Sequence, residues 1–130
     1  MHPHSEVLAT LRATLRREGV RGLMIHLNGL TQYRFSSLYR FDKDQLQSLC
    51  FYDRENPAQL STPSLPVMAS YCGVPLVGED GRIFGTICHF DLVPRARGVD
   101  DLELLEAVAT LLNERFAETL SDAAPGGSRG

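Results

Sequence analysis

Between Tyr33 and Asp91 the chain carries four apolar runs in two pairs, each pair closed by a short polar turn. From Tyr33 to Asp42, Phe35, Ser37, Tyr39 and Phe41 alternate with Arg34, Ser36, Leu38 and Arg40. That two-residue period puts the aromatic set on one face of an extended strand and the other set on the opposite face. Asp42-Lys43-Asp44 turns the chain, and Leu46 to Asp53 returns as a second strand. Val67 to Val77 and Arg82 to Asp91 form the second pair around Gly78-Glu79-Asp80-Gly81, where Gly81 can take a positive φ behind Asp80. The stretch from Arg54 to Pro66, with Pro57, Pro63 and Pro66, reads as loop. Two hairpins are not a stable unit alone, because their apolar face must be buried against another layer.

The flanking segments supply that layer. Ser5 can cap a helix with Glu6 in its first turn, and Val7, Leu8, Leu11 and Leu15 recur at helical spacing. Arg12 and Arg16 lie one turn apart on another face. Gly19 stops this helix, and Leu23, Met24, Ile25, Leu27 and Leu30 mark a second one. The last helix opens at Asp100, with Glu103 three residues on in the manner of a capping box. Its apolar face of Leu102, Leu105, Val108, Ala109, Leu112 and Phe116 is widened by Leu104 and Leu111 to more than half the circumference. Such a helix is either deeply buried or meets a second copy of itself. We therefore expect a homodimer interface at Leu105, Val108, Leu112 and Phe116. The order predicts an α+β fold: an antiparallel sheet of four to five strands with N- and C-terminal helices packed on one face. Residues 1–120 form one domain, and the Ala-, Gly- and Ser-rich residues 121–130 form a disordered tail. A chain of 130 residues is long enough for one core without covalent staples.

Charge and composition exclude several classes. A net charge of −3 gives no basic field for nucleic acid. No run of about eighteen apolar residues exists to span a membrane. Met1 to Glu6 lacks the basic and apolar regions of a secretory signal, and three cysteines suit a reducing cytoplasm better than a disulfide framework. Lys43 is the only lysine beside twelve arginines, a usage associated with GC-rich bacterial genomes. Residues 1–45 carry seven basic and four acidic groups, whereas residues 99–122 carry one basic and seven acidic. The two ends can attract each other, within one chain or between two, or remain separately solvated.

Three segments together resemble the bacterial GAF domains. Tyr33-Arg34-Phe35-Ser36-Ser37-Leu38-Tyr39-Arg40-Phe41-Asp42 is similar to the family's first strand. Tyr71-Cys72-Gly73-Val74-Pro75-Leu76, Glu79-Asp80-Gly81 and Phe84-Gly85-Thr86-Ile87-Cys88-His89-Phe90-Asp91 are similar to its signature hairpin. Asp101-Leu102-Glu103-Leu104-Leu105 is similar to the start of its final helix, and the resemblance spans residues 5–120. It implies a non-catalytic sensory or regulatory domain that binds a small molecule or a partner and dimerises through its terminal helices. GAF domains place a long segment between the hairpins that closes a ligand cup over the sheet. Here the chain passes from Asp53 to Met68 in about a dozen residues, so the lid is expected to be shortened and one sheet face poorly covered.

On this reading the ligand-binding candidates are Tyr39, Tyr52 and Tyr71, which can stack and donate hydroxyls, with Cys72, Cys88 and Asp91. One alternative is a thiol-dependent reductase resembling the GAF enzymes that reduce free methionine sulfoxide, using Cys72 or Cys88 as nucleophile. The spacing of Cys50, Cys72 and Cys88 does not match that subfamily, and strand cysteines more often act as small hydrophobes. The other alternative is a structural dimerisation module without a pocket. Bilin attachment finds no suitably placed cysteine. No metal or cofactor is expected: His2 and His4 flank a proline, His26 and His89 are isolated, and Cys88 and His89 point to opposite faces of one strand.

Overall fold

The computed structural model describes residues 5–62 and 68–114. In chain order it has α1 (Ser5–Asn28), β1 (Phe35–Asp42), β2 (Gln45–Asp53), β3 (Ser70–Val77), β4 (Ile83–Asp91) and α2 (Asp101–Glu114). The four strands form one antiparallel sheet in the order β2-β1-β4-β3. The fold is thus α+β, with two hairpins joined side by side through β1 and β4. Phe116 and the tail from residue 121 lie outside the described residues.

The break expected at Gly19 lies within α1, where Gly19 adopts φ 79° and ψ −169° between two helical segments. The burial pattern explains the need for it. Leu11, Thr14 and Leu15 are buried in the first segment, and Val20, Leu23, Met24, Leu27 and Asn28 in the second. The step from Leu15 to Val20 is five residues, which an unbroken helix turns off its buried face. Glycine alone accepts this backbone, and it rephases the second segment onto the sheet. β1 starts at Phe35 rather than Tyr33, because Tyr33 folds under the sheet end and its carbonyl accepts a hydrogen bond from Asn28. The turn residues behave as read: Gly81 sits at φ 82°, and Lys43 takes φ 60° in the first turn.

Register assigns the faces. Leu38 lies opposite Cys50 and Ile87, Val74 opposite Ile87, and Cys72 opposite His89. Leu38, Cys50, Cys72, Val74, Leu76 and Ile87 form one core with Leu11, Leu15, Leu23, Leu27, Leu105 and Leu112 of the helices. Leu105, Val108 and Leu112 are fully buried at 0% exposure, and Leu104 and Leu111 are buried as well. This corrects the expected dimer surface: these three side chains are spent inside the single chain. The wide apolar face of α2 has three neighbours, β3 and β4 beneath it and α1 beside it.

The opposite face is half closed, which revises the expectation of a poorly covered face. Phe35, Phe51, Cys88 and Phe90 form a second buried cluster there, with Tyr39 and Leu92 against it. The Phe35 and Phe90 rings stack at 4.8 Å between centroids, and the Arg34 guanidinium lies 4.8 Å from the centre of Phe35. β2 and β3 are the two edge strands, so residues 54–69 must connect opposite edges, roughly 14 Å apart at ordinary strand spacing.

Candidate functional site

Of the six residues expected to hold a ligand, the structure gathers three. Tyr39, Tyr71 and Cys88 lie on the sheet face away from the helices, where Tyr39 pairs with Thr86 and Cys88 with Ser37 and Gly73. The Tyr71 side chain crosses Gly73, and a Cβ at that glycine would meet the Tyr71 hydroxyl and the Cys88 Cβ. Glycine is therefore what lets Tyr71 lie flat toward Cys88. Burial raises the Tyr71 pKa, nearby Cys88 adds to the rise, and a hydrogen bond with Thr86 opposes it.

The other three lie elsewhere. Tyr52 is on the helix-facing side of β2, with the Arg21 guanidinium 5.7 Å from its ring centre. Cys72 is buried on the helix side of β3. Asp91 is a structural carboxylate at the end of β4. It accepts hydrogen bonds from the Arg34 and Val93 amides and from Arg95 Nε at 2.9, 3.2 and 2.9 Å. Burial alone would raise its pKa, but the Arg95 bond and those two amides hold it below the usual carboxylate value.

The thiols are insulated rather than poised. Burial raises all three pKa values, and Cys88 is pushed up to about 12 despite the Tyr71 hydrogen bond that opposes it. Cys88 and Cys72 lie on opposite faces of the sheet, and β1 and β4 separate Cys50 from Cys72. A thiolate nucleophile with a resolving partner needs a lowered pKa and close approach, and this arrangement offers neither.

Sequence reasoning missed the polar groups that organise the ends of the sheet. Arg34 binds Asp53 through Nε and Nη2 at 2.8 and 3.0 Å, a two-pronged pair. Burial would raise the Asp53 pKa, but the Arg34 bond and the Glu55 amide lower it overall. Beneath the sheet, Arg54 donates to Asn28 Oδ1 at 2.9 Å, and Asn28 Nδ2 donates to Ser36 Oγ at 2.7 Å. Ser36 Oγ lies 2.6 Å from His89 Nδ1, and the His89 ring stacks on Tyr33. Burial depresses the His89 pKa to about 4, with the Arg54 charge adding to the effect, so the imidazole is neutral at pH 7. Its Nε2 is buried without a hydrogen-bond partner. The alternation could have placed Ser36 and His89 on one face, since they pair directly across β1 and β4. Their link to Asn28 and Arg54 depends on tertiary packing that no local pattern encodes.

Two concavities among the described residues stand out. One of about 620 Å³ opens where α1 breaks over the β2 edge, and another of about 660 Å³ lies between the β3–β4 turn and the end of α2. The three gathered candidates line neither. No group of histidines, cysteines and carboxylates suited to a metal ion exists among the described residues, and no described helix is long and apolar enough to cross a membrane.

Comparison with known proteins gives a consistent answer. The family model for the GAF domain matches residues 40–116, more than half of the chain. No curated protein matches. Among solved structures, the crystal structure of a GAF domain from a protein described as a sensor histidine kinase of Pseudomonas syringae pv. tomato has the same fold. The TM-score is 0.60 at 20% sequence identity, covering 88% of this chain and 89% of that one. The two chains are therefore nearly equal in length, so 130 residues is not short beside this neighbour. On the family match over residues 40–116, with the fold shared with this neighbour, the chain belongs to the GAF domain family.

Proposed function

We propose that this chain is a non-catalytic regulatory domain of a bacterial cytoplasm that docks a second copy of itself on the open half of its sheet. The observation carrying this reading is the placement of Phe41, Leu46, Val77 and Ile83. They are 44%, 50%, 37% and 53% exposed, whereas the apolar face of α2 is buried. Phe41 pairs with Leu46 and Val77 with Ile83, so all four lie toward the turn end of the face away from the helices. Grouped apolar side chains of this size mark interaction surfaces, since each Å² removed from water is worth roughly 25 cal/mol. A two-fold contact lets each sheet cover the other. The flanking turns carry both charge signs, with Asp42, Lys43 and Asp44 at one and Glu79, Asp80 and Arg82 at the other. That mixture suits self-pairing. In this reading the helices transmit the signal, because both rest on the back of the docking strands. The buried, protonated thiols weigh against the reductase alternative.

Sedimentation velocity across the micromolar range tests the proposal. We expect a concentration-dependent dimer that Ile83→Glu converts to monomer with an unchanged far-UV spectrum. A wild-type protein that stays monomeric at 100-fold varied concentration removes the docking part of the reading.

A further inference from the structure

The concavity at the α1 break is unlike the open sheet face. Its volume of about 620 Å³ falls within the ordinary range for small-molecule sites. It exists because of Gly19: the non-helical backbone there swings the second segment of α1 away from the line of the first, above the free edge of β2. Its apolar part is made by Leu15 and Val20, which are buried, and by the more accessible Leu49 and Leu60. Two cations, Arg16 and Arg21, and one acid, Glu18, complete the lining.

The charges are unequally engaged. Arg21 is fixed by donating to the Phe51 carbonyl at 3.1 Å and to the Pro57 carbonyl at 2.9 Å, which leaves part of its five-donor fork unused. Arg16 is exposed and has no ion-pair partner among the described residues. Glu18 faces Arg17 at 3.5 Å and folds back over Gly22, where an added Cβ would strike its side chain. The Glu18 charge is thus partly answered outside the cavity, and the lining keeps a surplus of positive charge beside Leu49 and Leu60.

We propose that this cavity binds a small organic acid, its carboxylate held by Arg16 with Arg21 and its hydrocarbon body lying on Leu49 and Leu60. A carboxylate answers a guanidinium fork through charge-assisted hydrogen bonds, and the two accessible leucines reward a short run of methylenes. The site lies on the helix side of the β2 edge, away from the open sheet face, so it stands independently of the dimer proposed above. Because it straddles the break in α1, occupancy would fix the angle between the two helical segments.

The test uses octanoate on the intact chain, observed by backbone amide chemical shifts. Saturable shifts are expected at Gly19, Val20, Leu49 and Leu60. Octan-1-ol and acetate, which each carry half of the chemistry, should bind at least tenfold more weakly. Arg16→Gln should weaken octanoate about tenfold, and Arg16→Lys should restore most of the loss because it keeps the charge. Arg16 is exposed, and an unchanged amide spectrum would establish that each variant is folded. If octanoate produces no saturable shifts, if octan-1-ol binds as well, or if Arg16→Gln binds as tightly as wild type, the assignment fails. None of these outcomes bears on dimerisation, which sedimentation reads separately.

Discussion

His89 shows how one buried side chain sets the pH response of the fold. Its folded pKa of about 4 lies below the ordinary value of 6.5, because burial disfavours the imidazolium. The unfolded chain therefore takes up a proton before the folded chain does. Stability is fully present above pH 6.5 and falls as the pH drops from there toward 4, at about 1.4 kcal/mol per unit. Urea denaturation at pH 7 and pH 5 should differ by roughly 2 kcal/mol, and His89→Gln should flatten that difference. A wild-type protein with equal stability at both values would refute the assignment. Asp53 and Asp91 act lower on the scale: both have depressed pKa values, so their contribution is present above the ordinary carboxylate range and lost below it. The Arg34–Asp53 pair is a second residue-scale dependence. Arg34→Met leaves a buried carboxylate facing no cation within that pair, and should cost about 3 kcal/mol in the same denaturation assay. Arg34→Lys should recover only part of this, because one ammonium cannot reproduce the two-pronged contact.

At the scale of elements, Gly19 separates backbone strain from packing. Nothing lies within 4 Å of the position its Cβ would take, so Gly19→Ala meets no steric clash. The backbone at φ 79° and ψ −169° is one that only glycine adopts freely, so thermal unfolding should show a loss of about 2 kcal/mol. Gly85→Ala is the converse case: an added Cβ would collide with the Tyr39 carbonyl on the neighbouring strand, forcing β1 and β4 apart. The elements themselves were legible in the sequence because they rest on local signals. The two-residue alternation around Phe35 to Phe41, the Asp80-Gly81 turn and the glycine stop at position 19 each leave a mark within a few residues. The candidate site was legible only in part, and the reason is geometric. Tyr39, Tyr71 and Cys88 converge because β1, β4 and β3 happen to be neighbours, whereas Tyr52 and Cys72 are turned to the helices by the parity of their own strands. Parity can be read within a strand, but which face meets the helices depends on how the hairpins join. The Arg54–Asn28–Ser36–His89 chain links residues from four segments, and no sequence spacing announces it.

For the whole molecule, the question is which apolar surface remains for another chain. The pattern of α2 suggested that Leu105, Val108 and Leu112 would serve, because the helix has more apolar circumference than a sheet can cover. The structure resolves this by setting α1 against its flank, and all three residues reach 0% exposure. The exposed Arg12–Glu114 pair at 3.3 Å joins the same two helices, but its solvated charges add little. Two substitutions of the same chemistry should therefore fail in different ways. Leu105→Glu places a carboxylate in the core and removes its packing, which should cost at least ~4 kcal/mol, a large part of the ~5–15 kcal/mol that holds a domain together. The expected result is loss of cooperative unfolding by circular dichroism. Ile83→Glu alters a half-exposed strand residue at the turn end and should lower the melting temperature by only a few degrees while abolishing the proposed dimer in sedimentation. If Leu105→Glu instead gives a folded monomer and Ile83→Glu a folded dimer, the helices are the interface after all, and the burial of Leu105 within one chain no longer describes the protein in solution.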